Sequence, residues 1–256
     1  MQPGETKASA VDQARSMYND HNFGRFSYGS KRHTYNPLLL EFLEQANTDR
    51  DIFDIGCGAG FWLEIYKKYG FPKTRIHGLD LAPANAKNLS EQGYDVRAGN
   101  AMEMEFEDSI ADYTVSSGVI HHTPDSLKAF KEIVRITKPG GRIFINVYNF
   151  YNPYFWIVHK MTYPLRLFYW HVSEKIVDVI FPPVYLVMAM LSRLILRAPL
   201  DRKSAMTLFM DQVMTPRAEL FTKRKLTRYG NAAGVSAKKF RHNKAFLMLS
   251  AIFEKP

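Results

Sequence analysis

The feature that most constrains this chain is the run Asp54-Ile55-Gly56-Cys57-Gly58-Ala59-Gly60, which closes a short apolar stretch and opens onto Phe61 to Tyr69, a segment of helical pattern. A strand that turns through alternate glycines into a helix is how an open α/β sheet brings a ligand against bare backbone, because a side chain at those positions would block the approach. A second acid, Asp80, ends the next apolar run 24 residues after Gly56, near the spacing at which a carboxylate accepts ribose hydroxyl protons. The dinucleotide fingerprint wants its third glycine five positions after the first, and that position here is Phe61; glycine falls at 60 instead. With no pyrophosphate to cradle, the turn suits a nucleoside bearing an amino-acid tail.

From residue 51 to about 148, apolar or β-branched runs alternate with helical patterns, the sequence sign of βαβ units around a parallel sheet. The expected strands are Asp51 to Ile55, Arg75 to Asp80, Tyr94 to Ala98, Ala111 to Ser117 and Gly141 to Tyr148. Helices fit at Gly60 to Tyr69, Pro83 to Gln92 and Asp125 to Thr137, the last closed by Lys138-Pro139-Gly140-Gly141 as a stop signal. Ahead of this core, residues 1–50 read as an N-terminal cap, with short helices at Ala10 to Asn19 and Pro37 to Gln45 joined by an aromatic stretch. After the core at 51–150, residues 151–215 read as an apolar, basic helical insertion, and 216–256 as a last helix, Thr222 to Ala233, with an antiparallel pair, Val235 to Arg241 and Ala245 to Phe253.

Beyond the glycine turn, further landmarks follow in order: Gly99-Asn100-Ala101-Met102, then Asp108 to Tyr113 leading into Ser116-Ser117-Gly118-Val119-Ile120-His121-His122, then Lys138-Pro139-Gly140-Gly141-Arg142. On these the chain resembles the class I S-adenosylmethionine-dependent methyltransferases of small-molecule type. The resemblance implies a doubly wound, seven-stranded mixed sheet, Rossmann-like, with the helical insertion after strand five. It implies S-adenosyl-L-methionine as cofactor, with Asp54, Gly56, Cys57, Gly58 and Gly60 around its methionine portion and Asp80 on its ribose. Leu81 would flank the adenine, with Asn100 and Ala101 beside it, and Ser117 and Gly118 would border the sulfonium carbon. Asn100 departs from the aspartate common at that place, but an amide oxygen also accepts a hydrogen bond.

Methyl transfer from a sulfonium is an in-line displacement that needs alignment and a place for the acceptor's proton. His121 is the first candidate for that proton, since imidazole titrates near neutral pH and the residue lies just past strand four, on the ligand-binding edge. His33 in the aromatic stretch is the second. Tyr28, His122, Tyr148, Asp211 and Arg217 are the expected acceptor-binding residues, and no metal site is expected, because the adjacent histidines lack a carboxylate or thiolate at ligand spacing.

Charge is divided unevenly. Residues 151–256 hold 17 Lys and Arg against six acids, a net of +11, whereas 1–150 sum to −2. The 14 uncharged residues Val179 to Ser192 fall short of the roughly 20 that span a bilayer. A helical lid packed on the domain or on a second copy, making a homodimer, is the preferred reading; a peripheral membrane surface is the other. Nucleic acid is not expected as a partner, because no RNA-binding module is recognisable and Ser117-Gly118-Val119-Ile120 stands where an Asn-Pro-Pro-Tyr motif would be. The lone cysteine, Cys57, and a first dozen residues without an apolar run place the expected protein in the cytoplasm. The expected activity is methyl transfer to a small, hydrophobic or aromatic acceptor. An RNA or protein acceptor and a non-catalytic binding protein are the alternatives.

Overall fold

The computed structural model describes residues 11–16, 36–193, 200–242 and 248–256. At its centre lies a seven-stranded sheet. Strand β1 (Ile52–Ile55) is buried at all four positions, as befits a strand covered on both faces, and pairs in parallel with β2 (Ile76–Asp80) and β4 (Ala111–Ser117). Strand β3 (Asp95–Ala98) extends the sheet beyond β2, and β5 (Thr137–Tyr148) lies beside β4, both pairings parallel. Strand β7 (Met248–Glu254) runs antiparallel to both β5 and β6 (Ser236–His242), giving the order β3-β2-β1-β4-β5-β7-β6. The expected doubly wound mixed sheet is therefore present. Its order reverses between β1 and β4, where loops leave the carboxyl edge in opposite directions and open a crevice.

Helices cover both faces. On one side α1 (Pro37–Glu44), α2 (Phe61–Lys68) and α3 (Pro83–Glu91) pack with β1 and β2 in one apolar cluster. On the other, α4 (Ser126–Ile136) buries Ala129, Phe130, Ile133 and Val134, spaced as one helical stripe, and α9 (Lys223–Ala232) adds Leu226. Asp125 caps α4 by accepting from Lys128 N at 3.0 Å.

The stretch Lys138 to Gly141 is not the loop expected from the sequence. It belongs to β5, bulged between the pairs Ala111–Thr137 and Tyr113–Arg142. Its backbone finds sheet partners in Lys255, with Gly140 N donating to Lys255 O at 2.8 Å and Lys255 N to Gly141 O at 3.1 Å. The Lys255 ammonium caps the carbonyls of Val134 and Thr137 at the end of α4, so the helix ends without an intervening loop.

Between β5 and α9 stand four further helices: α5 (Pro153–Met161), α6 (Tyr163–His171), α7 (Ile176–Leu191) and α8 (Arg202–Phe209). The last three close around an apolar centre that includes Tyr169, Val177, Phe181, Phe209 and Met214, while α5 contributes none of its residues to it. Of the helix expected at Ala10 to Asn19, residues 11–16 are helical and the rest lies outside the described residues, as does the turn 243–247 between β6 and β7.

Candidate active site

Four loops meet at the carboxyl edge of the parallel strands, and the first is built almost wholly from backbone. Gly56 N and Cys57 N both donate to Leu79 O, at 2.7 and 3.1 Å, which clamps the turn after β1 to the end of β2. Gly56, Gly58 and Gly60 all have positive φ, at 82°, 55° and 85°. At Gly56 a Cβ would also sit 2.2 Å from the Val119 side chain, and at Gly60 2.4 Å from Leu89. Glycine is required there by conformation and packing. The Cys57 side chain is buried in the core, where a Cβ on Gly78 would lie 3.0 Å from its sulfur, and the thiol donates to Gly58 O at 4.0 Å within the turn. Burial pushes its thiol well up.

Asp80 staples this corner. Its Oδ2 accepts from Gly58 N at 2.7 Å, and its Oδ1 from Ala82 N and Asn85 Nδ2, both at 3.0 Å. Three of about four carboxylate lone pairs are thus used within the protein, leaving capacity on Oδ2. Burial raises its carboxyl above the usual range, opposed by those three bonds. Asp54 lies deeper. Burial pushes its carboxyl up to about 7, with the Tyr66 hydroxyl opposing and the charge of Asp80 adding, and its Oδ2 has no hydrogen-bond partner. In the third loop, Asn100 Oδ1 accepts from Met102 N at 3.0 Å, so this side chain shapes its own turn and keeps one oxygen lone pair.

After β4 the chain passes Gly118, whose φ is 84° and where a Cβ would meet nothing within 4 Å, into a single turn of 3-10 helix, Ile120–His122. His121 is fully buried and neither ring nitrogen has a hydrogen-bond partner among the described residues. Burial lowers its pKa well below 6.5, with His122 and His159 contributing, so the ring is neutral at physiological pH, not poised near neutrality as expected. A neutral imidazole keeps one N–H and one lone pair, both ready for a ligand. Its ring lies 3.9 Å from that of Tyr148 and 4.1 Å from that of His122. Tyr148 in turn stacks on Phe155 of α5 at 3.9 Å, within 22° of parallel.

Two straps hold this wall. In one, Asn36 Nδ2 donates to Ser250 Oγ at 2.7 Å, Ser250 Oγ to Asn146 Oδ1 at 3.0 Å, and Asn146 Nδ2 to Ser117 Oγ at 3.1 Å. Asn36 also caps α1, so the helix before the sheet is tied to the end of β4. In the other, His122 Nδ1 donates to Arg217 O at 2.8 Å, Glu219 N to His121 O at 2.8 Å, and Phe221 N to Tyr148 O at 2.8 Å. A carbonyl can only accept, which fixes the proton of His122 on Nδ1.

Residues 53–145 match the family model described as a methyltransferase domain. The chain carries a methyltransferase domain. It is 30% identical over 124 residues to a tRNA (carboxymethyluridine(34)-5-O)-methyltransferase of Arabidopsis thaliana, covering 47% of this chain and 30% of that protein. It is 33% identical over 103 residues to a demethylmenaquinone methyltransferase of Lactococcus lactis subsp. lactis, covering 38% and 41%. The chain thus spans well under half the length of these curated relatives. The fold is also that of geranyl diphosphate C-methyltransferase from Streptomyces coelicolor A3(2), solved with Mg2+, geranyl diphosphate and S-adenosyl-L-homocysteine, with a TM-score of 0.56 at 13% identity over 96% of this chain and 98% of that one.

The methyltransferase domain gathers Asp54, the glycine turn, Asp80, Leu81, Asn100, Ala101, Ser117, Gly118, His121 and His122 along one sheet edge, through the strand order and the ends of β1 to β4. Tyr148 joins them from the end of β5, and Arg217 through its carbonyl. Tyr28 and His33 lie outside the described residues, as does the side chain of Asp211. Phe155 belongs to the aromatic run expected to cover the acceptor side, whereas His159 was missed in the sequence. Phe155 and His159 stand four apart on α5, hence on one helix face, and the pKa of His159 is pushed down to about 4 by burial and by Arg166. That spacing was the available signal, and it was hidden within a run dense in aromatics.

Proposed function

We propose that the chain transfers the methyl group of S-adenosylmethionine to a small, apolar acceptor bound against Tyr148 and Phe155. The observation that carries the reading is the His121-Tyr148-Phe155 stack, which begins three residues past Gly118 at the carboxyl end of β4, where Val119 packs against Gly56 of the glycine turn.

The residues present fit the cofactor. The turn 56–60 offers an edge free of side chains, the remaining lone pair of Asp80 Oδ2 suits a ribose hydroxyl, and Asn100 keeps an acceptor for the adenine amino group. The unpartnered Oδ2 of Asp54 suits the ammonium of the methionine tail. S-adenosylmethionine supplies a methyl already activated on sulfonium sulfur, which retains the electrons of the broken C–S bond. The protein's part is then alignment and proton handling. Ser117, held by Asn146, and Gly118 border the transfer position; Tyr148 and Phe155 exclude water and hold the acceptor's plane. His121 orients the acceptor through its unpartnered nitrogen and takes its proton as the new bond forms. A buried imidazolium is costly and no group among the described residues accepts from the ring, so the proton leaves to water when the product departs.

A second reading, an RNA acceptor, draws on the +11 of residues 151–256 and on the likeness to a tRNA methyltransferase. Supplying methyl-labelled S-adenosylmethionine with fractionated extract separates them. Label in solvent-extractable small molecules supports the first reading. Label destroyed by ribonuclease supports the second and removes the first.

A further inference from the structure

Thirteen large apolar side chains are exposed among the described residues, and every one lies between Phe150 and Met190. Soluble monomers scatter such residues singly; their concentration in consecutive helices marks a face that meets something. Tyr151, Val172, Val179 and Leu186 are each about two-thirds or more exposed, and Met161 is 75% exposed, so burial within the fold does not account for them.

The kind of residue narrows the choice of partner. Tyr154, Trp156 and Tyr163 on α5 and α6 are exposed aromatics with a polar end, the type that settles at the boundary between water and lipid. Basic groups adjoin the apolar ones directly. Lys160 Nζ lies 5.0 Å over the Trp156 ring, and Arg193 closes an open groove on α7 otherwise lined by Tyr185, Leu186, Ala189 and Met190. Helix α7 carries no charge from Val179 to its end and has 16 residues, about 24 Å at 1.5 Å per residue. No helix among the described residues is long and apolar enough to cross a membrane. Too short to cross, an apolar helix of this length can meet a bilayer only at its surface. The alternative of a second copy would bring two such faces together, each weakly basic, with Lys160, Arg166, Lys175 and Arg193 against Glu174 and Asp178. Like charge opposes that pairing, whereas an anionic surface satisfies the apolar and basic groups together.

We propose that α5, α6 and α7 form a docking surface for an anionic lipid bilayer. The geometry gives it a use. Phe155 on α5 faces the Tyr148-His121 wall, while Tyr154, Trp156, Ile157 and Met161 of the same helix are exposed, so one helix separates the proposed lipid face from the reaction site. An apolar acceptor dissolved in lipid would then have a short way into the pocket. The surface itself does not depend on what the acceptor is.

The test is flotation of the full chain with vesicles of phosphatidylcholine alone and with one-third phosphatidylglycerol, at low and high salt, beside light scattering of the chain in solution. The expected result is capture by the anionic vesicles, weakened by salt. Lys160→Glu or Arg193→Glu should weaken it at least about fivefold, from roughly a factor of five for each basic side chain at an anionic surface. Met161→Glu with Leu186→Glu should abolish it. All four positions are exposed, so S-adenosylmethionine affinity by calorimetry should not change in any variant. A loss of that affinity would point to misfolding, and a chain that never binds the cofactor would count against the proposed function instead. No capture by either vesicle, capture unmoved by salt and by the variants, or a dimer that the Met161 and Leu186 changes dissociate would overturn the proposal, the last in favour of a second copy.

Discussion

Asp54→Asn probes the buried end of β1 through the pH dependence of stability. In the folded chain this carboxyl is fully buried and held at about 7, while in the unfolded chain it returns to about 3.9. Below pH 4 both states are protonated and the group contributes no pH dependence. Between about 4 and 7 the unfolded state releases its proton and the folded state does not, so the unfolded state binds fewer protons and stability falls as pH rises. Each unit amounts to about 1.4 kcal/mol, so the penalty is about 1.5 kcal/mol at pH 5 and about 4 kcal/mol by pH 8. Asparagine cannot ionise. In urea denaturation of the ligand-free chain, the stability of Asp54→Asn relative to wild type should therefore improve by about 2 to 3 kcal/mol between pH 5 and pH 8, whatever its offset at either pH. Tyr66→Phe should widen the window upward, because the Tyr66 hydroxyl is the group that opposes burial here. A gap that stays constant with pH would refute the reasoning and place Asp54 in contact with water or a counter-charge. Saturating S-adenosylmethionine should flatten the wild-type dependence if its ammonium meets Asp54 Oδ2.

Gly56→Ala combines a positive φ with a Cβ 2.2 Å from Val119, and should cost about 1 to 3 kcal/mol in thermal or chemical denaturation; adding Val119→Ala should recover part of that loss but not cofactor binding. With the His121 pKa well below 6.5, kcat should be flat from pH 7 to 9 and fall only on the acid side, while His121→Ala should lower kcat far more than it weakens S-adenosylmethionine binding; a wild-type limb centred near pH 7 would refute this. Phe155→Ala should raise the acceptor's KM several-fold with calorimetric cofactor affinity unchanged, and equal loss of both would remove Phe155 from the acceptor side.

How much of this was legible in the sequence follows from which groups build each part. The sheet could be read because short apolar or β-branched runs alternate with helical patterns along the chain, and the boundaries of β4 agree to the residue. The glycine turn was also legible, since positive φ leaves few other residues, although the clashes with Val119 and Leu89 were not, being contacts across 63 and 29 positions of chain. The bulge at the start of β5 was misread because Pro-Gly-Gly signals a loop locally, and the partner that draws it into the sheet, Lys255, lies over a hundred residues away. The pKa of His121 was misjudged for a related reason: sequence gives the intrinsic value of a ring, whereas the surroundings that lower it come from β5, α5 and the strap at 217–221.

The same division bears on how the site is constructed. The cofactor side is made of backbone donors, glycine conformations and one stapling carboxylate, all on elements that also form the central sheet, so change there disturbs folding and binding together. The proposed acceptor side is made of side chains presented by α5, by the end of β5 and by the strap before α9, and α5 packs beside α6. Substitution at Phe155 or His159 can therefore reshape the acceptor wall while Asp80 and the turn keep their bonds. The strap ties the two sides: Glu219 N and Arg217 O hold the backbone of His121 and the ring of His122, so a shift of the insertion relative to the sheet is felt first at the residue proposed to handle the proton. Contact of α5 to α7 with a surface would thus reach the chemistry through His121, leaving the cofactor cradle in place.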